Sequence, residues 1–464
     1  MKTFIRFTIL SLPVLFCMQA VRAQEHHGAL TDNGSLYFRA EAVNNYIMAN
    51  ADKGEFYYYI HLQGVKKQVG GQAHRIPLNL SLVIDRSGSM SGEKLENTKK
   101  AVEYIIRQLD ESDIISIVIY SDQAEVLVEP QRLENKEEII GRVKGIISNG
   151  STNLEGGIRK GYSLLKSAKK IADEEMVNRM FLLSDGIANV GITDPETLGG
   201  ITNAFFEEEK ISISTFGVGL DYNEDLMAKI ALQGGGMYYF INSPEDLSGI
   251  FMQELKGISQ VVAKNTIIEI RFPEDMVQYE KTYSYHGVLK NNVLKISFND
   301  LFSEEQKSVL IKFSLRKQVD SPIELDCRLT YTNSNSDSMV SVTSEMKSQL
   351  DLAKNENQYN SGFNKAASEG YALQVAGEIY GMAVQAADDG DYKLSKDKIK
   401  EAKDVLECHF KNVGDNSYLK GLYKDLCDYE GIIDDLKNMS RTETSYHIKK
   451  YKSAKFRTIA CPAF

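Results

Sequence analysis

The chain is poor in cysteine, in metal-binding histidine patterns, in long apolar runs and in positive charge, and each shortage removes a class of protein. Five cysteines are spread over 464 residues. Cys17 lies in the N-terminal apolar stretch, and Cys327, Cys408, Cys427 and Cys461 are too far apart for a disulfide scaffold or a zinc cluster. Their even number still permits bridges. Cys327 occupies the apolar phase of the alternating run Ile323-Glu324-Leu325-Asp326-Cys327-Arg328-Leu329 and is expected to be a buried, inert thiol. The seven histidines form no H-E-x-x-H pattern, which removes the commonest zinc hydrolases. His26 and His27 sit close to the N-terminus and are expected to be solvated. Beyond Ala23 no stretch approaches the roughly 20 apolar residues that span a bilayer.

Basic residues number 54 against 64 acidic ones. Lys2 and Arg6 precede an apolar stretch from Phe7 to Met18, and Val21-Arg22-Ala23 offers small residues for cleavage before Gln24. Residues 1–23 therefore read as a signal peptide. Cys17 follows Phe16 and lacks the small preceding residue of a lipoprotein site. The mature chain is expected to be exported to the periplasm or outside the cell, with no lipid or transmembrane anchor. Losing Lys2, Arg6 and Arg22 leaves 51 basic residues against 64 acidic, a net charge of −13, which argues against nucleic acid or acidic lipid as partner.

A chain of this length holds several domains. From 78 to 257 apolar runs alternate with helical periodicity, the pattern of a doubly wound, mainly parallel α/β sheet. The strands expected are Leu80 to Ile84, Ile114 to Tyr120, Met180 to Leu183 and Ile211 to Val218, with Ala124 to Val128 and Met237 to Ile241 as edges, six in all. Helical faces run through Leu95, Val102, Ile105 and Leu109, and through Leu154, Ile158, Leu165 and Ala168, with a hydrophilic helix from Asp194 to Glu209. Both flanks, 24–77 and 258–350, show the alternation of half-buried antiparallel strands. They predict one β-sandwich with the α/β unit inserted in it; a separate N-terminal hairpin is the rival. The run Tyr57-Tyr58-Tyr59 reads as a strand with one aromatic face buried. Residues 351–365 read as a linker, 366–439 as two or three helices, and 440–464 as a basic tail without fixed order.

The chemistry gathers at strand ends. Asp85-Arg86-Ser87-Gly88-Ser89 ends the first apolar run, Thr152 precedes the helix that begins near Leu154, and Asp185 closes the strand Met180 to Leu183. In a doubly wound sheet these junctions all fall at the carboxyl edge, so Asp85, Ser87, Ser89, Thr152 and Asp185 can meet around one ion. Five oxygens with only two carboxylates suit Mg²⁺, which takes six oxygens at 2.0–2.1 Å and keeps open positions. The absence of His and Cys argues against zinc and copper. Mn²⁺ remains an alternative, and Ca²⁺ is disfavoured because it takes more ligands. Taken alone, D-x-S-x-S is also a capping turn; Thr152 and Asp185 distinguish the two readings.

These five residues, in this order and at these strand ends, resemble the metal-ion-dependent adhesion site of the von Willebrand factor type A domain. The resemblance covers residues 78–257, and the stretch Asp85 to Gly92 with Lys94-Leu95 is similar to the bacterial branch related to inter-α-trypsin inhibitor heavy chains. It implies that Ser87, Ser89 and Thr152 supply hydroxyl oxygens and that Asp85 and Asp185 act directly or through water. An incoming Asp or Glu of a protein partner would then complete the coordination. Ser91-Gly92-Glu93-Lys94 also matches the S-x-x-K of serine acyl-enzymes, but that chemistry needs further motifs, and the chain offers only Ser121-Asp122-Gln123 and no K-T-G. The glycine clusters Gly217-Val218-Gly219 and Gly234-Gly235-Gly236 do not open helices as nucleotide loops do. A non-enzymatic, adhesion-type binding protein is expected. The alternative is an envelope scaffold whose metal is structural and whose C-terminal helices bind the partner. The sequence carries no signal for oligomeric state.

Overall fold

The computed structural model describes residues 29–31, 34–48, 54–66, 77–168, 170–171, 176–185, 188–218, 223–241, 261–298, 300–334, 340–436 and 439. The expected signal peptide and basic tail lie outside the described residues, as do His26, His27 and Cys461. The N-terminal flank contributes β1 (Ala29–Leu30), β2 (Leu36–Ala42), β3 (Tyr46–Met48) and β4 (Glu55–Gly64). The α/β unit follows with β5 (Leu78–Asp85), α1 (Glu93–Gln108), β6 (Ile114–Tyr120), β7 (Ala124–Arg132), α2 (Lys136–Lys144) and α3 (Leu154–Ala168). It continues through β8 (Val177–Ser184), α4 (Pro195–Glu209), β9 (Ser212–Val218), α5 (Glu224–Gln233) and β10 (Gly235–Ile241).

The six strands stand in the order β10-β9-β8-β5-β6-β7, parallel except for β7, which pairs antiparallel with β6. Every residue of β5 is buried, which explains the unalternating run Leu-Asn-Leu-Ser-Leu-Val-Ile-Asp: helices cover both faces. Leu80, Leu82 and Ile84 meet Val102, Ile105 and Ile106 of α1, while Val83 meets Leu154, Ile158 and Leu165 of α3. Each such buried aliphatic side chain contributes about 1.5–3 kcal/mol. The helices α2 and α5 lie in stretches to which sequence periodicity assigned no element.

The second flank contains β11 (Val261–Arg271), β12 (Val277–Tyr283), β13 (Gly287–Lys290), β14 (Val293–Ser297), β15 (Leu301–Phe302), β16 (Gln306–Leu315), β17 (Ile323–Asn333) and β18 (Val340–Ala353). One sheet runs β1-β2-β4-β16-β12 and the other β13-β14-β11-β17-β18-β3. Strand β4 pairs antiparallel with β16 along its length, Val309 opposite Ile60, so the two flanks form one sandwich and the α/β unit is an insertion between them. The independent hairpin is thereby excluded. Phe38, Tyr58 and Ile60 share the sandwich core with Ile268, Phe313 and Leu329.

Residues 351–365 do not behave as a linker. Strand β18 runs on to Ala353, α6 (Glu356–Asn360) follows, and Phe363 bridges to Asn44. The asparagines that suggested a polar spacer serve the backbone instead. Asn364 donates to the Ala42 carbonyl at 2.7 Å and Asn355 caps α6 by accepting from Gln358 N–H at 2.9 Å, while Asn44 of the N-terminal flank donates to the Tyr359 carbonyl at 2.9 Å. Then come α7 (Lys365–Asp388), α8 (Tyr392–Asn412) and α9 (Ser417–Leu436), a three-helix unit with its own core of Leu373, Ile399, Leu406, Leu426 and Ile433.

The tyrosine run is buried on both faces rather than one. Tyr58 points into the sandwich core, and Tyr59, 2% exposed, packs beneath α7. Gly370 makes this approach possible, because a Cβ at that position would overlap the Tyr59 ring. Two opposing effects decide the outcome of Gly370→Ala. Alanine is favoured over glycine in a helix by about 1 kcal/mol, whereas overpacking costs about 1–3 kcal/mol. We expect net destabilisation in a urea titration, greater for Gly370→Leu; a more stable alanine variant would show that the helix does not bear on Tyr59.

Candidate metal centre

Parallel pairing aligns Ile84 of β5 with Leu183 of β8, so the residues that leave the two strands emerge side by side. Asp85 and Asp185 are both fully buried. Asp85 is held from several directions. Its Oδ2 accepts from Ser184 Oγ at 2.6 Å and from the Tyr120 hydroxyl at 3.4 Å, and its Oδ1 accepts from Ser87 N–H at 2.8 Å. Burial pushes its carboxyl up to about 6; hydrogen bonds from Ser184 and Ser87 oppose the rise, and the nearby charge of Asp185 adds to it.

After Asp85 the backbone turns through a 3-10 segment, Gly88–Met90, before Gly92 at φ 77° opens α1. Ser87 is buried and Ser89 exposed, and their hydroxyl oxygens lie 3.1 Å apart. The second loop is fastened to the first, since Gly88 N–H donates to the Gly150 carbonyl at 2.9 Å and Asn149 N–H to the Arg86 carbonyl at 2.8 Å. Gly150 has φ 73°, and a Cβ there would overlap the Asp122 carboxylate, whose Oδ1 accepts from Ser151 N–H at 3.0 Å. Thr152 is buried; its N–H donates to Asn189 Oδ1 at 2.7 Å, and its carbonyl accepts from Asn189 N–H at 3.2 Å. A continuous chain of hydrogen bonds thus joins the loops that carry Ser87 and Ser89, Thr152, and Asp185.

Asp185 is the exception in this well-bonded edge. Its Oδ2 accepts from Lys94 Nζ at 3.2 Å, but its buried Oδ1 finds no hydrogen-bond partner among the described residues. A buried carboxylate oxygen without a partner is costly unless a cation serves it. The hydroxyl spacing agrees with that use, since ligands at 2.0–2.1 Å on an octahedral ion lie about 3 Å apart. No group of three or more His, Cys, Asp or Glu side chains suited to a metal occurs among the described residues. An ion here would depend on hydroxyls, which fits Mg²⁺ better than zinc.

Spacing in the sequence did not reveal Ser184, Tyr120, Asp122 and Asn189 as supports. Ser184 alone had a local signal, a hydroxyl directly before Asp185 at the end of an apolar strand. Lys94 belongs to the S-x-x-K pattern, but its ammonium faces Asp185. Among the described cysteines Cys327, Cys408 and Cys427 are free thiols, and burial raises Cys327 far above its ordinary value.

Residues 79–253 match the family profile of the von Willebrand factor type A domain, and this part of the chain is a domain of that family, whose members generally mediate protein interaction and commonly bind a divalent metal. Among curated proteins the chain is 31% identical over 192 residues to the uncharacterized protein sll0103 of Synechocystis sp., a match covering 41% of this chain and 44% of that one. It is 32% identical over 206 residues to YfbK of Escherichia coli, covering 44% and 35%. It is 30% identical over 225 residues to human inter-alpha-trypsin inhibitor heavy chain H3, covering 46% and 24%. The chain thus spans less than half the length of these relatives. Two solved structures share the fold at 15% identity. A von Willebrand factor type A protein from Catenulispora acidiphila matches with TM-score 0.63 over 87% of this chain and 90% of that one. The ArnB paralog VWA2 from Sulfolobus acidocaldarius matches with TM-score 0.56 over 91% and 98%. No helix among the described residues is long and apolar enough to cross a membrane.

The raised Asp85 carboxyl gives a pH prediction. An unfolded Asp titrates near 3.9 and the folded one near 6, so between these values the folded state holds the extra proton. Stability therefore falls as pH rises through this window, by on the order of 3 kcal/mol when complete. With metal chelated, Asp85→Asn should match wild type near pH 4 and exceed it above pH 6 in denaturant midpoint. A constant difference across the window would contradict the assignment.

Proposed function

We propose that this chain is an exported, non-enzymatic binding protein whose von Willebrand factor type A domain holds Mg²⁺ and captures an acidic side chain of a protein partner. The observation that carries the reading is Asp185 Oδ1, buried without a hydrogen-bond partner among the described residues, at the sheet edge from which the Ser87 and Ser89 turn also leaves. Ser87, Ser89, Thr152 and Asp185 would hold the ion. Asp85, whose two oxygens already accept from Ser87 N–H, Ser184 and Tyr120, would fix the Ser87 turn and act through water. The ion supplies an uncancelled positive field that attracts a carboxylate. The proposal of export rests on the signal-like pattern of residues 1–23, which would put the site in the periplasm or outside the cell.

The position of the site supports the reading. The sandwich joins the α/β unit at the opposite, amino edge of the sheet, where Arg179 at the start of β8 pairs with Asp300 at 3.4 Å. Asp185 lies six positions beyond Arg179, about 20 Å at the rise of a strand, so the carboxyl edge faces away from the sandwich. On its rim Ile147 is 75% exposed, in the loop that Asn149 and Gly150 fasten to Arg86 and Gly88. An exposed apolar side chain in this loop suits a partner surface with an apolar group near its acidic residue.

Adding Mg²⁺ should raise the thermal midpoint of wild type but not that of Asp185→Ala, and Mg²⁺-dependent partner crosslinking should disappear in that variant. Capture that survives in Asp185→Ala and in chelator would favour the scaffold reading. Ile147→Ser should keep the Mg²⁺ shift and weaken capture about tenfold; unchanged capture would remove the loop from the partner surface.

A further inference from the structure

We infer that Lys94 is a tethered counter-ion that competes with the divalent cation for Asp185 and so sets the affinity of the centre. The inference rests on the metal reading above and adds to it a residue that lowers, rather than provides, metal binding. Lys94 stands on the first turn of α1, and its Nζ lies 3.2 Å from Asp185 Oδ2. Its side chain is 22% exposed while Asp185 is fully buried. The lysine side chain is therefore only partly buried while its ammonium meets a wholly buried carboxylate, and its flexible stem leaves it a path outward.

The electrostatics define the competition. With Lys94 in place one oxygen of the Asp185 carboxylate is served and the other is not. A divalent ion on Asp185 would bring two positive charges close to the ammonium, where reduced dielectric strengthens their repulsion. Occupation by the ion thus requires Lys94 to give up the contact and move toward solvent. A neutral side chain removes that cost, and it also removes the group that stabilises Asp185 when metal is scarce. Two effects of opposite sign follow from one substitution.

Calorimetric titration with MgCl₂ and thermal melts in EDTA test both, using the intact protein. Lys94→Met should bind Mg²⁺ at least tenfold more tightly than wild type, melt lower in EDTA, and show a larger rise on saturation. Lys94→Gln, whose amide can still donate to Asp185, should fold if the methionine variant does not and should also bind more tightly. Lys94→Arg keeps the charge and should bind no better than wild type. Equal or weaker Mg²⁺ binding by both neutral variants, with wild-type binding intact, would overturn the role of Lys94 and leave the metal centre standing. Heat of binding absent from wild type and all three variants would overturn both.

Discussion

Two carboxylates buried at adjacent strand ends are the constraint around which the α/β unit is arranged. Removing an ionised carboxylate from water costs several kcal/mol even after relaxation, so a native fold must surround it with donors or cations. Asp85 and Asp185 are both wholly buried, and each is answered differently. Asp85 receives donors from its own turn and from the ends of β6 and β8, which converts three loops into one hydrogen-bonded edge. Asp185 receives one ammonium and has an oxygen to spare. The difference divides the labour, with one acid holding the frame together and the other, on the proposed reading, available to an ion.

That edge lies where it does because of the sheet. Strands buried on both faces must present their chemistry at their ends, and in a doubly wound sheet the central strands send consecutive loops toward the same side. Strand β5 is central, with β8 on one side and β6 on the other, so the loops bearing Ser87, Thr152 and Asp185 converge. The opposite edge is taken up by the sandwich through Arg179, Asp300 and Glu207, the last accepting from Ser297 Oγ at 3.0 Å. An inserted domain attached by its amino edge necessarily offers its carboxyl edge to the surroundings. The helical unit joins the sandwich through Tyr59, Gly370 and the pair Lys281 and Glu378 at 2.7 Å.

Much of this was legible because apolar patterning reports burial directly. The runs that formed β5, β6, β8 and β9 contain few polar interruptions, and the five proposed ligands sit at their ends or before a helix, where hydroxyls and carboxylates have no packing role. The failures have a common physical origin. Helices α2 and α5 are short, 9 and 10 residues, so fewer than about three turns of weak amphipathicity were all the signal available. In the supposed linker Asn364 donates to the Ala42 carbonyl and the Tyr359 carbonyl accepts from Asn44, partners more than 300 residues away in sequence, which no local composition can show. The tyrosine run read as a strand with only one face buried because strand alternation says which face a residue takes and not what later covers it. Ser184, Tyr120 and Asn189 support the centre through side-chain hydrogen bonds across strands, and their identities alone are ordinary.

The rigidity of that frame determines what can change when the centre is used. The backbone around Asp85, Gly88, Gly150 and Thr152 is fixed by hydrogen bonds between loops, and the strands beneath it are packed on both faces. Close-packed interiors deform little, so an arriving ion cannot be accommodated by shifting strands. Adjustment falls to the groups that reach solvent, chiefly the Ser89 and Lys94 side chains. One lies close enough to Ser87 to pair with it at ligand spacing, and the other carries a charge that opposes the ion. On the proposed reading, a centre built this way would respond to metal by rearranging side chains at its mouth, which would also be the surface that meets a partner.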